Sequence, residues 1–352
     1  MKTIIVEADK GILSESDLNT AANIIKSGGL VAFPTETVYG LGADALNPEA
    51  SEKIYKAKGR PSDNPLIVHI ADSGNMEQIA REIPDKAFRL AEVFWPGPLT
   101  IILNKKDIVP FSTTGGLNTV AIRLPASGIA KDLISRSGGY IAAPSANISG
   151  KPSPTRAEHV IADLSGKVDM IIDGGKSTLG LESTIIDLSS DEPIILRPGC
   201  ITKAMIENII GNAPYDKAIL GKIIEKDIKP KAPGMKYSHY APEGCLTIYE
   251  GNIESVILAI NKKAKEITEK GKTVGIIATE ETKGLYRYGN IKSIGRRGDE
   301  DSIAAGLYAV LRDFDDIHAE YIFSESFARG DLGQAIMNRL LKAAGYRVEK
   351  IL

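Results

Sequence analysis

Residues 56–70 read KAKGRPSDNPLIVHI. A cationic helix end, a turn stiffened by Pro61 and Pro65, and an apolar strand candidate follow one another without a gap. Lys56, Lys58 and Arg60 stand at alternate positions just where the backbone is restrained. Cations at a helix C-terminus suit the helix dipole, which is one explanation. Three of them beside a rigid turn also suit a polyanion such as a triphosphate.

Outward from this stretch, short apolar runs recur over residues 14–200: GLVAF, LIVHI, LTIIL, TVAIRL, YIAAP, VDMIID, TIIDL and PIILR, each bounded by Gly, Pro or polar residues. Helical patterns such as PEASEKIYKA, DKAFRLAEVF and TRAEHVIADL separate some of them, while two stretches set strand directly after strand. The mixture predicts an α/β domain with a twisted, mixed sheet. Residues 201–244 change texture, with one short helix pattern and then KPKAPGMKYSHYAPEG, which reads as a linker. Over 245–352, the strand patterns LTIYE, KTVGIIAT, IKSIG and AEYIFSE alternate with helices at 252–270, 301–315 and 331–344, predicting a smaller α/β domain. In helix 301–315, Ile303, Leu307, Val310, Leu311 and Phe314 share one face.

The chain has 352 residues, 43% of them hydrophobic, ample for two cores. A formal net charge of -2 gives no global field for nucleic acid, so an anion site must be a local cluster. Two cysteines, Cys200 and Cys245, form neither a disulfide framework nor a zinc pattern. The opening MKTIIVEADK is too short and too charged for a signal peptide or a span, so a soluble cytoplasmic protein is expected.

Three nucleotide or metal signatures fail on inspection. GLGADA, residues 40–45, fits a loose dinucleotide pattern but sits several residues past its strand, with Pro48 before the next helix. GGKST, residues 174–178, ends like a phosphate-binding loop, but Met170 stands where its first glycine belongs. His69, His159, His239 and His318 lack metal-ligand spacing.

Polar clusters at strand ends remain. PTETVYGLGAD, residues 34–44, offers Thr35, Thr37, Tyr39 and two glycines as a loop able to approach a ligand. Arg123 of TVAIRLP suits a carboxylate, though a surface arginine reads the same way. Ser145, Asn147, Ser149 and Ser153 crowd a proline-rich loop that also fits plain turn chemistry. Glu182, Ser183 and Thr184 precede one strand, and Arg197 closes another. Many hydroxyls and guanidiniums, with no nucleophile, base dyad or metal triad, imply positioning and charge stabilisation, as in nucleotidyl transfer.

The motifs PTETVYGLG, KGRP, NPL, VHI, WPGPLT, AIRLP, PSANISG, ST and RPG stand in the order found in the YrdC-like domain. With APGMKYSHYAP and the added α/β domain, the chain resembles the two-domain form of the L-threonylcarbamoyladenylate synthase family. The resemblance implies a YrdC-like twisted open sheet around a concave, basic cavity over 14–200, a linker over 201–244, and a Rossmann-like domain over 245–352. It implies conversion of L-threonine, bicarbonate or CO2, and ATP into threonylcarbamoyl-AMP and pyrophosphate. The product is handed to a transferase that modifies tRNA next to the anticodon, so RNA contact is allowed but not required.

By motif, Thr37, His69, Arg123, Ser183 and the backbone at Ala143 are implied to hold threonine. Arg60, Asn64, Thr119, Ser145, Asn147, Ser153 and Arg197 are implied to hold ATP, with Lys56, Lys58 and Arg60 as the catalytic cations. Mg2+ is expected to enter with ATP on its phosphates, without an acidic site in the protein. Lys236, His239 and Tyr240 of the linker are expected to close over the site as a lid, with a simple spacer as the alternative. The rival functions are a non-catalytic RNA-binding protein, against which the charge and the lack of aromatic platforms weigh, and a carbamoyl-phosphate-dependent enzyme, which lacks its expected cysteine pairs here.

Overall fold

A computed structural model describes residues 2–217, 219, 230–233, 240–328 and 330–351. The chain forms two compact units: Met1–Ser149, Ser153–Thr178 and Glu182–Tyr237 make the first, and Gly150–Pro152, Leu179–Leu181 and Ser238–Leu352 the second.

In chain order the first unit contains β1 (Ile4–Glu7), α1 (Glu15–Lys26), β2 (Val31–Phe33), β3 (Gly40–Asp44), α2 (Pro48–Lys58), β4 (Ile67–Ile70), α3 (Asn75–Ile79), β5 (Ala80–Arg81), α4 (Asp85–Phe94), β6 (Leu99–Lys105), β7 (Thr119–Arg123), α5 (Gly128–Arg136), β8 (Tyr140–Ala142), α6 (Ala157–Leu164), β9 (Met170–Asp173), β10 (Thr184–Asp187), β11 (Ile194–Arg197) and α7 (Lys203–Ile210). The strands join in one sheet of order β1-β9-β2-β3-β8-β4-β7-β6-β10-β11, with β5 also on β6. Pairing is parallel at β1/β9, β9/β2, β4/β7 and β6/β10, and antiparallel at β2/β3, β3/β8, β8/β4, β7/β6 and β10/β11. The expected mixed sheet is therefore present, and it starts ahead of residue 14, because Ile4 pairs with Met170.

Alternation gives the sheet two apolar faces. Leu41, Val68, Ile70, Ile101, Leu103, Val120 and Ile122 pack with Ile54 of α2, Leu90 of α4, Val160 of α6 and Ile206 of α7. On the other face, Val31, Phe33, Ile141, Met170 and Ile172 meet α1 and α5. The rest of that face carries Ile67, Ile102, Ala121, Ile185 and Leu196, joined by the fully buried Ala232. Residues 201–244 are thus more than a tether: α7 joins the core, and Ala232 seats its segment on the sheet.

The glycines of PTETVYGLGAD do not loop. Gly40–Asp44 is strand, and Gly42 is there because a Cβ would sit 2.7 Å from Phe33 Cε1 and 2.8 Å from Ile141 Cγ2.

The second unit runs β12 (Cys245–Gly251), α8 (Ile253–Thr268), β13 (Val274–Ala278), β14 (Asn290–Ser293), α9 (Glu300–Asp316), β15 (Tyr321–Glu325), α10 (Asp331–Ala343) and β16 (Val348–Ile351). Its sheet, β14-β13-β15-β12-β16, is parallel at every pairing, as helices alternating with strands require. Val256, Ile257, Ile260 and Ala264 of α8 cover Ile276, Ala278 and Phe323.

Gly42→Ala is expected to cost about 1–3 kcal/mol by overpacking. Urea unfolding should show a lowered midpoint, with nucleotide binding unchanged while the protein is folded.

Candidate active site

The register of β4 and β7 sets His69 beside Arg123 on the face that Ala121 and Ile67 share. The Arg123 side chain is 4% exposed and held at two points. Its Nε donates to the Gly97 carbonyl at 3.3 Å, and its Nη2 to Glu36 Oε1 at 2.5 Å. A buried guanidinium fixed in this way is pre-oriented for a carboxylate. Burial alone would raise the Glu36 carboxyl, but the adjacent Arg123, with the backbone N–H groups of Glu36 and Ala126, outweighs it and holds the group below the usual carboxylate range.

His69 is buried, and desolvation, helped by the Arg123 charge, pushes its pKa down to about 3. Its Nδ1 lies 3.2 Å from the Ile67 carbonyl. A neutral ring there donates from Nδ1 and keeps Nε2 as an acceptor. Ala143 follows β8, and its N–H donates to the same Ile67 carbonyl at 2.9 Å.

Ser183 precedes β10 and is fully buried. Its Oγ lies 2.7 Å from Thr100 Oγ1 and accepts from Arg197 Nη2 at 3.0 Å, while Arg197 Nε donates to the Ser183 carbonyl at 2.9 Å. Arg197, implied to touch ATP, is thus at least partly the group that sets Ser183. Thr100 was not singled out in the sequence.

Backbone bonds stitch the loops together. Tyr39 N–H donates to the Pro154 carbonyl at 2.9 Å, and Ala146 N–H to the Tyr39 carbonyl at 2.8 Å. Thr35 and Thr37 hydroxyls are 2.8 Å apart, and Thr35 Oγ1 also donates to the Val38 carbonyl at 2.6 Å. Ser153 Oγ donates to Glu182 Oε1 at 2.6 Å. The threonine loop and the serine-rich loop are therefore one framework.

α2 delivers the cations. Asn47 caps its N-terminus, Pro48 starts it, and Gly59 ends it at φ 61°. Lys58 is only 2% exposed; its Nζ donates to the Ser145 carbonyl at 2.5 Å and also to the Asn147 carbonyl. Ser145 Oγ donates to Asn147 Oδ1 at 2.6 Å, closing the cluster. Arg60 Nη2 donates to the Pro65 carbonyl at 3.0 Å, bracing its own turn. Asn64 is buried, and its Oδ1 has no partner among the described residues, as suits a ligand contact. The STTGG turn at residues 112–116, overlooked in the sequence, supports this corner: Leu66 N–H donates to the Thr113 carbonyl, and Gly115 lies so close that a Cβ would be 2.9 Å from the Asp63 oxygen.

Lys56 leaves α2 in a different direction from Lys58. Two residues apart on a helix is roughly 200° around its axis. Lys56 is exposed and Lys58 buried, yet both line one pocket of ≈ 620 Å³, with Lys53, Gly59, Ile148, Lys167 and Asp169. Thr119 shares the face of Arg123 but opens β7 opposite Asn104, about 13 Å along the strand from Arg123. Lys236 and His239 lie outside the described residues. Tyr240 belongs to the second unit and stacks on Tyr308, with ring centroids 5.2 Å apart. Glu36 stood unremarked between two singled-out threonines; an acid flanked by hydroxyls was the available signal.

A twisted mixed sheet with Arg123, His69 and Ser183 on one face, beside a clipped cationic loop and followed by a parallel α/β unit, is the two-domain YrdC-like architecture. Residues 23–199 match the family described as Telomere recombination (Sua5, YciO and YrdC), and residues 201–345 match that of the threonylcarbamoyl-AMP synthase C-terminal domain. A threonylcarbamoyl-AMP synthase of Bacillus subtilis is 50% identical over 336 residues, 95% of each chain. One of Pyrococcus abyssi is 47% identical over 99% of this chain and 100% of its own. The crystal structure of P. abyssi Sua5 complexed with L-threonine aligns over the whole of both chains, with a TM-score of 0.92 and 45% identity. The chain belongs to the threonylcarbamoyl-AMP synthase family.

The buried His69 titrates in the unfolded chain near 6.5 but in the folded one near 3. Protons therefore favour unfolding between these values, and stability falls as pH drops below about 6.5. From pH 7.5 to 5 this one group should cost about 2 kcal/mol. Urea midpoints of the wild type and His69→Asn across that range check it: the variant should lose less stability on acidification.

Proposed function

We infer that this chain synthesises threonylcarbamoyl-AMP from L-threonine, bicarbonate or CO2, and ATP, releasing pyrophosphate in a nucleotidyl transfer. The observation that carries the reading is the doubly fixed Arg123 beside neutral His69, on a sheet face bordered by the Lys58 and Arg60 loops.

Arg123 takes the threonine carboxylate, and Ala143 and Ser183 complete that end of the pocket. Thr37 and the His69 Nε2 lone pair meet the hydroxyl. The amine, once deprotonated, adds to CO2, and the resulting N-carboxylate attacks the α-phosphorus of ATP; the P–O bond to pyrophosphate breaks as the new one forms. Alignment of three reactants supplies at most about 7–11 kcal/mol of the barrier. Asn64, Ser145, Asn147 and Ser153 hold the nucleotide, Arg60 and Lys58 offset the phosphate charge, and Arg197 supports both ends through Ser183. ATP enters as its Mg2+ complex, with phosphates and water as the metal's ligands.

In the Pro230–Pro233 segment, Ala232 packs on the sheet face that carries the site. The product passes to the tRNA threonylcarbamoyl transferase machinery, which sets the work in the cytoplasm. Among the described residues no helix is long and apolar enough to cross a membrane.

Pyrophosphate release from ATP should require threonine and bicarbonate together and stop with EDTA; release indifferent to threonine would contradict the assignment. Lys58→Ala should lower kcat/KM by about 100-fold or more, whereas Lys56→Ala should change it by about twofold at most.

A further inference from the structure

One oxygen of Glu36 has no role in the site so far described. Oε1 is fixed on Arg123 Nη2 at 2.5 Å, and the backbone N–H groups of Glu36 and Ala126 also favour the carboxylate, but none completes a hydrogen bond to the buried Oε2 among the described residues. The side chain is 11% exposed. Native proteins rarely leave a buried carboxylate oxygen without a donor unless a ligand or water completes it. An ionised carboxylate only accepts, so the missing partner must donate, and a cation does so best. Arg123 is the cation the structure places on this carboxylate, and it is bonded to the other oxygen, Oε1.

The segment is held firmly enough to bind. The Thr35 and Thr37 hydroxyls bond across Glu36, and Thr178 Oγ1 donates to its carbonyl at 3.2 Å. In an α-amino acid the carboxylate and ammonium sit on one carbon, so their receptors must be neighbours. Arg123 and Glu36 are such neighbours.

We propose that Glu36 Oε2 receives the α-ammonium group of the amino-acid substrate, so that Arg123 and Glu36 together read the zwitterion. The proposal rests on Arg123 as the carboxylate anchor and adds the acceptor for the nitrogen. It makes the site selective for a free α-amine over hydroxy acids of the same shape, and it gives the nitrogen a fixed direction before it reacts.

Calorimetric titration of the full chain with L-threonine and with (R)-3-hydroxybutyrate, which is threonine without its amine, tests this in wild type, Glu36→Gln and Arg123→Gln. Wild type should bind threonine at least about tenfold more tightly than the hydroxy acid. Glu36→Gln should weaken threonine by about 10- to 100-fold and leave the hydroxy acid unchanged or tighter. Equal weakening of both ligands would mean that Glu36 only props Arg123, and would overturn the proposal. So would threonine binding that survives Glu36→Gln, or a wild type that binds both ligands alike, a result needing no variant. Failure of the parent reading looks different: Arg123→Gln would then leave both affinities untouched.

Discussion

The period of two along a strand is the constraint on which this site depends. A slip of one residue in β4 and β7 would carry His69 and Arg123 to the opposite face, against Ile101 and Leu103 of β6 and the helices that cover them. In the register observed, β4 and β7 lay an imidazole beside a guanidinium, and β6 and β10 bring Thr100 near Ser183. The mixed pairing matters too. Antiparallel neighbours β8 and β3 bring the serine-rich loop and the threonine loop to the same region, where Gly40 pairs with Ser145.

Charge is handled by fixing it. Lys58 and Arg123 are almost wholly buried, and each is held by oxygens whose positions the fold determines. Burying a cation carries a large desolvation cost unless such partners are present. The return is an electrostatic surface that needs no reorganisation when a triphosphate or a carboxylate arrives. His69 shows the same economy in reverse: placed next to Arg123, it stays neutral and works as an acceptor.

Much of this was legible in the sequence, and the failures have physical causes. Apolar runs such as LTIIL and TVAIRL announced strands because a sheet buried on two sides shows little alternation. The parallel second sheet followed from helices placed between strands, and the face of α9 from spacings of three and four. Strands β1 and β16 passed unseen because IIVE and VEKI are short and weakly buried, and VEKI is half polar. The glycines of GLGAD read as loop residues because their reason, the bulk of Phe33 and Ile141, lies in other strands. Lys56, Lys58 and Arg60 look equivalent at a period of two, but Lys56 and Lys58 are on a helix that leaves the first exposed and buries the second, although both line one pocket. Glu36 and Thr100 were missed because their importance lies in long-range partners, Arg123 and Ser183.

The most direct test of the account is a crystal structure with L-threonine and a non-hydrolysable Mg-ATP analogue bound together. The account predicts the threonine carboxylate on Arg123 and the triphosphate beside Arg60 and the Ser145–Asn147 loop. The α-phosphorus should lie within about 3–4 Å of where the N-carboxylate oxygen forms. A nucleotide seated away from Arg60 and the Ser145–Asn147 loop, with its α-phosphorus out of reach of the amino acid, would contradict it.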